Sequence, residues 1–179
     1  MSFVLLKDVV ERISTGLNPR KNFKLNQGGN CNYITIKNIK NGKLINLDSC
    51  DKIFEEDLSL INKRSDLRIG DILFASIGAN GDCYKITEIP KDWNINESVF
   101  SIRPNDKILS DYLMYVLRSE AAINYYKKVQ TGSTFKSIKI NQLKEMPLNL
   151  PSIQEQKELI KQIEKKLQII DILKQTIYD

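Results

Sequence analysis

The sequence predicts an α/β (α+β) protein: one globular domain of mixed or antiparallel strands and short helices, followed by a long C-terminal helix of coiled-coil type. Three observations predict it. Runs of period two separated by turn residues dominate the stretch from Tyr33 to Arg103, short pieces of helical spacing flank it, and the last segment carries a narrow apolar seam. The 179 residues are enough for one ordinary domain and an appendage.

Taken in order, Leu5, Leu6, Val9, Val10 and Ile13 sit at helical spacing before Thr15-Gly16, which predicts a short N-terminal helix. Residues 17–32, with Pro, Gly-Gly and several Asn, read as a loop. Tyr33-Ile34-Thr35-Ile36 and Lys43-Leu44-Ile45-Asn46-Leu47 then flank Asn41-Gly42, a pair that tolerates positive φ and so predicts a hairpin. The run from Ile72 to Ile77 suits a buried strand, the residues from Gly78 to Asp82 turn the chain, and those from Cys83 to Ile89 return it as a partner. A third β segment runs from Ser98 to Arg103 and ends at Pro104. Ser110 caps a second helix that the spacing carries to about Lys128. Thr131-Gly132-Ser133-Thr134-Phe135 is a polar loop, residues 138–143 form a short ordered element, and residues 146–151 form an extended connector, because a residue before proline is pushed out of the α region.

The last segment carries the clearest pattern. Ser152-Ile153-Gln154-Glu155 is a capping box after Pro151. Ile160, Ile163, Leu167, Ile170, Leu173 and Ile177 then recur at three- or four-residue steps, as a coiled-coil seam requires. About 28 helical residues span roughly 40 Å, more than a domain of this size covers alone. Pairing with another helix is therefore expected; the alternative is a helix lying across its own core.

Lys and Arg outnumber Asp and Glu by 27 to 22 and the pI is near 9.0, which favours a polyanionic partner. The segment from Ser152 to Asp179 holds five Lys and five acidic residues, so the whole excess lies before it. Cys31, Cys50 and Cys83 are far apart and form no C-x-x-C pair; reduced, buried thiols are expected, with no zinc site and no disulfide framework. Charge arrives at Lys7-Asp8, too early for a signal peptide, and no apolar run approaches a membrane span. A cytoplasmic protein with no membrane partner is the expectation.

Little in the chain suggests catalysis. Its lack of histidine removes Ser-His and Cys-His nucleophilic pairs and His-ligated metal enzymes. There is no phosphate-cradling G-x-x-x-x-G-K-[ST], and Gly78-Ala79-Asn80-Gly81 lacks the third glycine of a dinucleotide fingerprint. Glu88, Lys91, Asp92 and Glu97 lie near one another, but no Pro-Asp leads to the (Asp/Glu)-x-Lys triplet of a Mg²⁺-dependent nuclease. Asn18-Pro19-Arg20 is not the base-gripping motif of a DNA methyltransferase. What remains are basic loops rich in Asn and Ser. Candidates for touching DNA are Arg20 and Lys21 in the first loop, Lys37, Asn38 and Lys40 at the hairpin, Ser76 and Asn80 at the middle turn, and Thr134, Lys136 and Lys139 after the second helix. Lys and Arg suit phosphate, and Asn can pair with adenine.

The order of motifs resembles one repeat of the type I restriction-modification specificity subunit. The residues that carry the likeness are Leu6-Lys7-Asp8-Val9 through Thr15-Gly16, then Gly70-Asp71-Ile72-Leu73 with Gly78, then Thr131-Gly132-Ser133-Thr134, and Leu143 through Leu150-Pro151-Ser152-Ile153-Gln154-Glu155-Gln156. The resemblance implies that residues 1–150 are a target-recognition domain and residues 151–179 a spacer helix that pairs with another. It also implies a non-catalytic reader of double-stranded DNA. Methyltransferase and restriction subunits would assemble on it and hold the methyl donor, ATP and Mg²⁺, with no cofactor in this chain. Only one repeat is present here, so the chain is expected to be either a truncated piece of a longer subunit or a half-subunit, with a homodimer or pairing with a second specificity repeat through the seam. A protein-binding coiled-coil adaptor and a small Mg²⁺-dependent nuclease fragment are the rival readings.

Overall fold

A computed structural model describes residues 2–78 and 80–178. Met1 and Asp179, at the ends of the two expected segments, and Ala79, inside the expected middle turn, lie outside the described residues.

The N-terminal helix is replaced by strand β1 (Ser2–Leu5), a 3-10 turn at Leu6–Asp8 and strand β2 (Val10–Thr15). The helical spacing there has a different cause: Leu6 and Val9 both enter the main core, but from a turn that Asp8 closes by accepting the Leu5 amide at 2.9 Å. Residues 17–30 form a loop, as expected, until strand β3 (Cys31–Ile34). The Asn-Gly hairpin is present as strands β4 (Ile39–Lys40) and β5 (Lys43–Leu44), with Asn41 and Gly42 at φ 50° and 81°. It is shorter than the sequence suggests. A 3-10 turn at Ile36–Asn38 separates it from β3, which pairs elsewhere.

Strand β6 (Asp51–Ile53) and helix α1 (Glu55–Ser65) follow, neither anticipated. A signal for α1 was present: Glu55, Glu56 and Asp57 in its first turn and Lys63 and Arg64 in its last complement the helix dipole, and Leu58, Ile61 and Ser65 share its buried face. Strands β7 (Ile72–Ala75), β8 (Cys83–Lys85) and β10 (Val99–Pro104) fall in the expected runs, with β7 and β8 ending earlier than Ile77 and Ile89, while β9 (Trp93–Ile95) is an addition.

The expected second helix is two, α2 (Ser110–Leu117) and α3 (Glu120–Val129). Ser119 breaks it: its side chain accepts the Ala122 amide at 3.2 Å and caps α3, while the Tyr126 hydroxyl donates to the Leu117 carbonyl that α2 leaves open. Helix α4 (Ile140–Lys144), strand β11 (Pro147–Leu150) and helix α5 (Ile153–Tyr178) complete the chain. The extended connector is thus β11, paired antiparallel with β1, so the two ends of the globule close on each other.

The central sheet has the order β2-β10-β7-β8 and is antiparallel throughout. Ile72 and Phe74 face a core shared with Leu113, Leu117, Tyr126, Leu143 and Met146 from the helices; Leu73 and Val99 face a second core with Ile34, Ile39, Ile86 and Ile95. Burial on both faces explains why β7 is apolar without alternation. A second sheet, β6-β3-β9, mixes antiparallel and parallel pairing and packs under α1.

The Gly-Asp-Ile-Leu motif has a structural reason. Gly70 holds φ 89°, and Asp71 is buried. Its carboxylate accepts two bonds from the Arg103 guanidinium, at 2.9 and 3.0 Å, as well as the Ser101 hydroxyl and the Arg68 amide. Cys31, Cys50 and Cys83 are free and buried; burial pushes the Cys83 thiol up to about 12. Among the described residues no helix is long and apolar enough to cross a membrane.

The capping box at the root of α5 forms as read. The Ser152 amide and hydroxyl donate to Glu155 Oε2 at 2.8 and 2.7 Å, and these bonds hold that carboxyl below its ordinary value. The seam divides in two. Ile160 packs with Leu159 against the main core and Ile163 lines a groove beside α2, whereas Leu167, Ile170, Leu173 and Ile177 are exposed together with Ile169 and Ile172. The first turns of α5 therefore lie on the chain's own globule, and only the distal half leaves an apolar stripe open.

Candidate nucleic-acid interface

Two polar loops meet at one end of the central sheet. The loop after β7 and the loop after α3 are bridged at Ile77–Ser137, and the second closes on itself at Thr131–Ser137. The Gly78 amide donates to the Lys136 carbonyl at 3.1 Å, and the Ile138 amide to the Ser76 carbonyl at 2.9 Å. Gly132, at φ 114°, is required here, because a Cβ would meet the Phe135 carbonyl oxygen at 2.3 Å. The loops border a cleft of about 430 Å³ whose lining includes Ser76, Glu97, Ser98, Ser137, Lys139 and Asn141.

The sequence candidates divide between this cleft and two neighbouring places. Asn80, Thr134, Lys136 and Lys139 are exposed on the two loops. Arg20 and Lys21 are exposed on a turn in which the Pro19 carbonyl accepts the Asn22 and Phe23 amides; Asn18, just before it, donates to Glu97 of the cleft at 2.7 Å. Lys37 and Lys40 lie at the hairpin and both are exposed. Lys40 borders a different hollow of about 650 Å³, with Lys43, Arg118 and, from α5, Leu167, Asp171 and Lys174. The hairpin still touches the middle loop, since the Asn41 amide donates to Asp82 at 3.3 Å.

Two candidates need correction. Asn38 is buried: its Oδ1 accepts the Thr35 amide at 3.0 Å and its Nδ2 donates to the Ile45 carbonyl at 3.2 Å, which closes the turn ahead of the hairpin. Ser76 is also buried, and its hydroxyl donates to the Ser98 carbonyl at 2.8 Å. Both side chains are committed to holding loops in place.

Three further residues, outside the sequence candidates, lie at these loops, the hairpin and the cleft. Phe135, 75% exposed between Thr134 and Lys136, offers an aromatic face where no packing demands one. Arg118 sits beside the hairpin, its guanidinium 3.0 Å from where a Gly42 Cβ would lie. Glu97 was weighed only among scattered carboxylates, and no local signal could have placed it in a cleft whose other wall comes from residues 137–141, far along the chain. Burial, with Glu97 adjacent, raises the Tyr33 hydroxyl well above its usual range, so it stays protonated and donates to the Leu17 carbonyl at 2.5 Å.

Comparison with known proteins finds the same fold and a family. The family model of the type I restriction modification DNA specificity domain matches residues 1–179. The chain belongs to this family.

Among curated members of the specificity-subunit group, the chain is 29% identical over 157 residues to the type I restriction enzyme MjaIX specificity subunit of Methanocaldococcus jannaschii, covering 86% of this chain and 35% of that protein. It is 28% identical over 148 residues to the EcoBI specificity subunit of Escherichia coli, covering 80% of this chain and 30% of that one. The chain thus spans about a third of the length of these relatives. Two solved structures share the fold. The HsdS subunit from Thermoanaerobacter tengcongensis matches 98% of this chain and 39% of its own at a TM-score of 0.66 and 17% identity; the type I S subunit from M. genitalium matches 97% and 41% at 0.59 and 14%. Both likenesses extend over essentially all of this specificity-domain chain, α5 included.

Proposed function

We propose that this chain reads DNA sequence as the specificity subunit, or one half of it, of a type I restriction-modification complex. The observation that carries the reading is the meeting of two Lys-, Asn- and Ser-bearing loops around one cleft in a chain that the specificity-domain family matches throughout. Lys136, Lys139, Arg20 and Lys21 hold phosphates and set the register, while polar side chains facing the cleft read base edges. The chain itself performs no covalent step. Methyltransferase and restriction subunits bind to it and hold the methyl donor, ATP and Mg²⁺. The exposed stripe on α5 pairs with the same helix of a second copy, or with a second specificity repeat, and sets the distance between two half-sites. Stripes of this kind are buried in functional assemblies because contiguous apolar surface is costly to leave in water.

The test is sedimentation of the chain alone and with its methyltransferase subunit, followed by DNA binding across a salt series. The reading expects a dimer, or a joint complex, whose DNA affinity falls steeply with salt. A monomer at tens of micromolar that ignores both partners contradicts it.

A further inference from the structure

Glu97 occupies the three-residue link between β9 and β10, and its backbone is held from both sides. The Asn96 amide donates to the Ile34 carbonyl at 2.9 Å, the Asn96 carbonyl accepts the Gly16 amide at 3.1 Å, and the Ser98 carbonyl accepts both the amide and the hydroxyl of Ser76. A side chain launched from so rigid a link is positioned before any ligand arrives.

The carboxylate is short of donors. Oε1 accepts Asn18 Nδ2 at 2.7 Å. Oε2 lies 3.4 Å from the Tyr33 hydroxyl, which has a single proton and directs it to the Leu17 carbonyl at 2.5 Å. No ion pair among the described residues engages Glu97. Behind it, Asn18 Oδ1 is buried with no hydrogen-bond partner among the described residues. A carboxylate short of donors thus lines a cleft whose lining also includes Lys139.

A carboxylate in that place repels phosphate, so it works against backbone binding. It favours a neutral group that presents N–H. On base edges in the major groove those groups are the N4 amine of cytosine and the N6 amine of adenine. We propose that Glu97 is a specificity-determining residue that accepts a hydrogen bond from the exocyclic amine of one base of double-stranded DNA entering this cleft. The proposal rests on the DNA-recognition reading above.

The test uses the full chain and a pool of duplexes randomised in sequence, with bound fractions sequenced and non-specific affinity measured across a salt series. Wild type is expected to select cytosine or adenine at one position. Glu97→Gln keeps an oxygen for Asn18 and offers an amide donor, so a cytosine preference should shift by roughly ten- to hundredfold towards bases with a major-groove acceptor. An adenine preference survives through a bidentate Gln contact and is tested by Glu97→Leu, which removes the acceptor and should abolish it. Other positions and the salt dependence should be unchanged. Glu97→Asp, which withdraws the acceptor by one methylene, should weaken the preference without reversing it, and Asn18→Ala should keep it. A cytosine preference that Glu97→Gln leaves unchanged, or an adenine preference that Glu97→Leu leaves unchanged, overturns the proposal. So does an equal loss of selectivity at every position in Glu97→Gln and Asn18→Ala, which would make Glu97 only a buttress of the first loop. A wild-type chain that selects no sequence overturns the recognition reading as well, and is distinguished by appearing before any variant is compared.

Discussion

The buried side chain of Gln156, on the first turn of α5, accepts the Leu109 amide at 2.8 Å, where Leu109 is the residue that opens α2. Its Nε2 donates to the Lys107 and Pro151 carbonyls at 3.0 and 2.9 Å. Gln156 thereby ties the root of α5 to the start of α2 and fixes the angle at which α5 leaves the globule. Replacing it with Ala leaves an amide and two carbonyls unpaired in a dry site, with an expected loss of at least about 1–3 kcal/mol in denaturant unfolding. A carboxylate at this position would be set against the same two carbonyls, so Gln156→Glu should cost more than Gln156→Ala.

The Asp71–Arg103 pair makes a second prediction. Its side chains are 2% and 11% exposed, and removing one leaves the other charge buried. Asp71→Ala should cost about 3–5 kcal/mol, while the double replacement Asp71→Leu with Arg103→Met should cost less than the sum of its parts. Urea midpoints of the two single variants and the double variant measure the coupling.

Asp66 gives the pH dependence. Partial burial opposes ionisation, but hydrogen bonds from Arg103 and Arg68 outweigh it and hold the carboxyl below its ordinary 3.8. A lowered folded-state value means the contribution to stability is present above pH 3.8 and is lost as pH falls through the lower, folded value. Asp66 sits in the left-handed region at φ 46°, which Asn also tolerates, so Asp66→Asn isolates the charge. The variant should unfold earlier than wild type at pH 7, and the two melting curves should converge once the pH falls below the lowered, folded value.

On α5, Leu173→Lys alters a side chain that is 55% exposed in the single chain. Monomer stability should be unchanged and self-association lost, as read by sedimentation. A variant that still dimerises would place the interface elsewhere.

At the loops, Lys136→Ala and Lys139→Ala should each lower the slope of log affinity against log salt by about one. Ser76→Ala should leave the slope alone and lower the melting temperature, because the hydroxyl that holds the Ser98 carbonyl is gone.

Sequence alone determined what depends on neighbours along the chain. The Asn41-Gly42 turn follows from which residues tolerate positive φ, the capping box at Ser152 and Glu155 from orphan amides at a helix start, and the apolar run of β7 from burial of consecutive residues. The order of short motifs pointed to the family because residue types are legible along the chain, although Asp71 is held by Arg103 and Gln156 by Leu109, both distant in sequence. Only the tertiary structure decided the rest. Leu6 and Val9 have helical spacing but belong to a turn between strands, because β1 finds its partner at β11, far along the chain. Asn38 and Ser76 look like surface polar residues yet close loops, and Glu97 becomes the floor of a cleft through loops that meet it only in space. The division of the seam into a half that the globule covers and a half left open has the same origin. Periodicity specifies which face of a helix is apolar, but what covers that face depends on where the other elements lie.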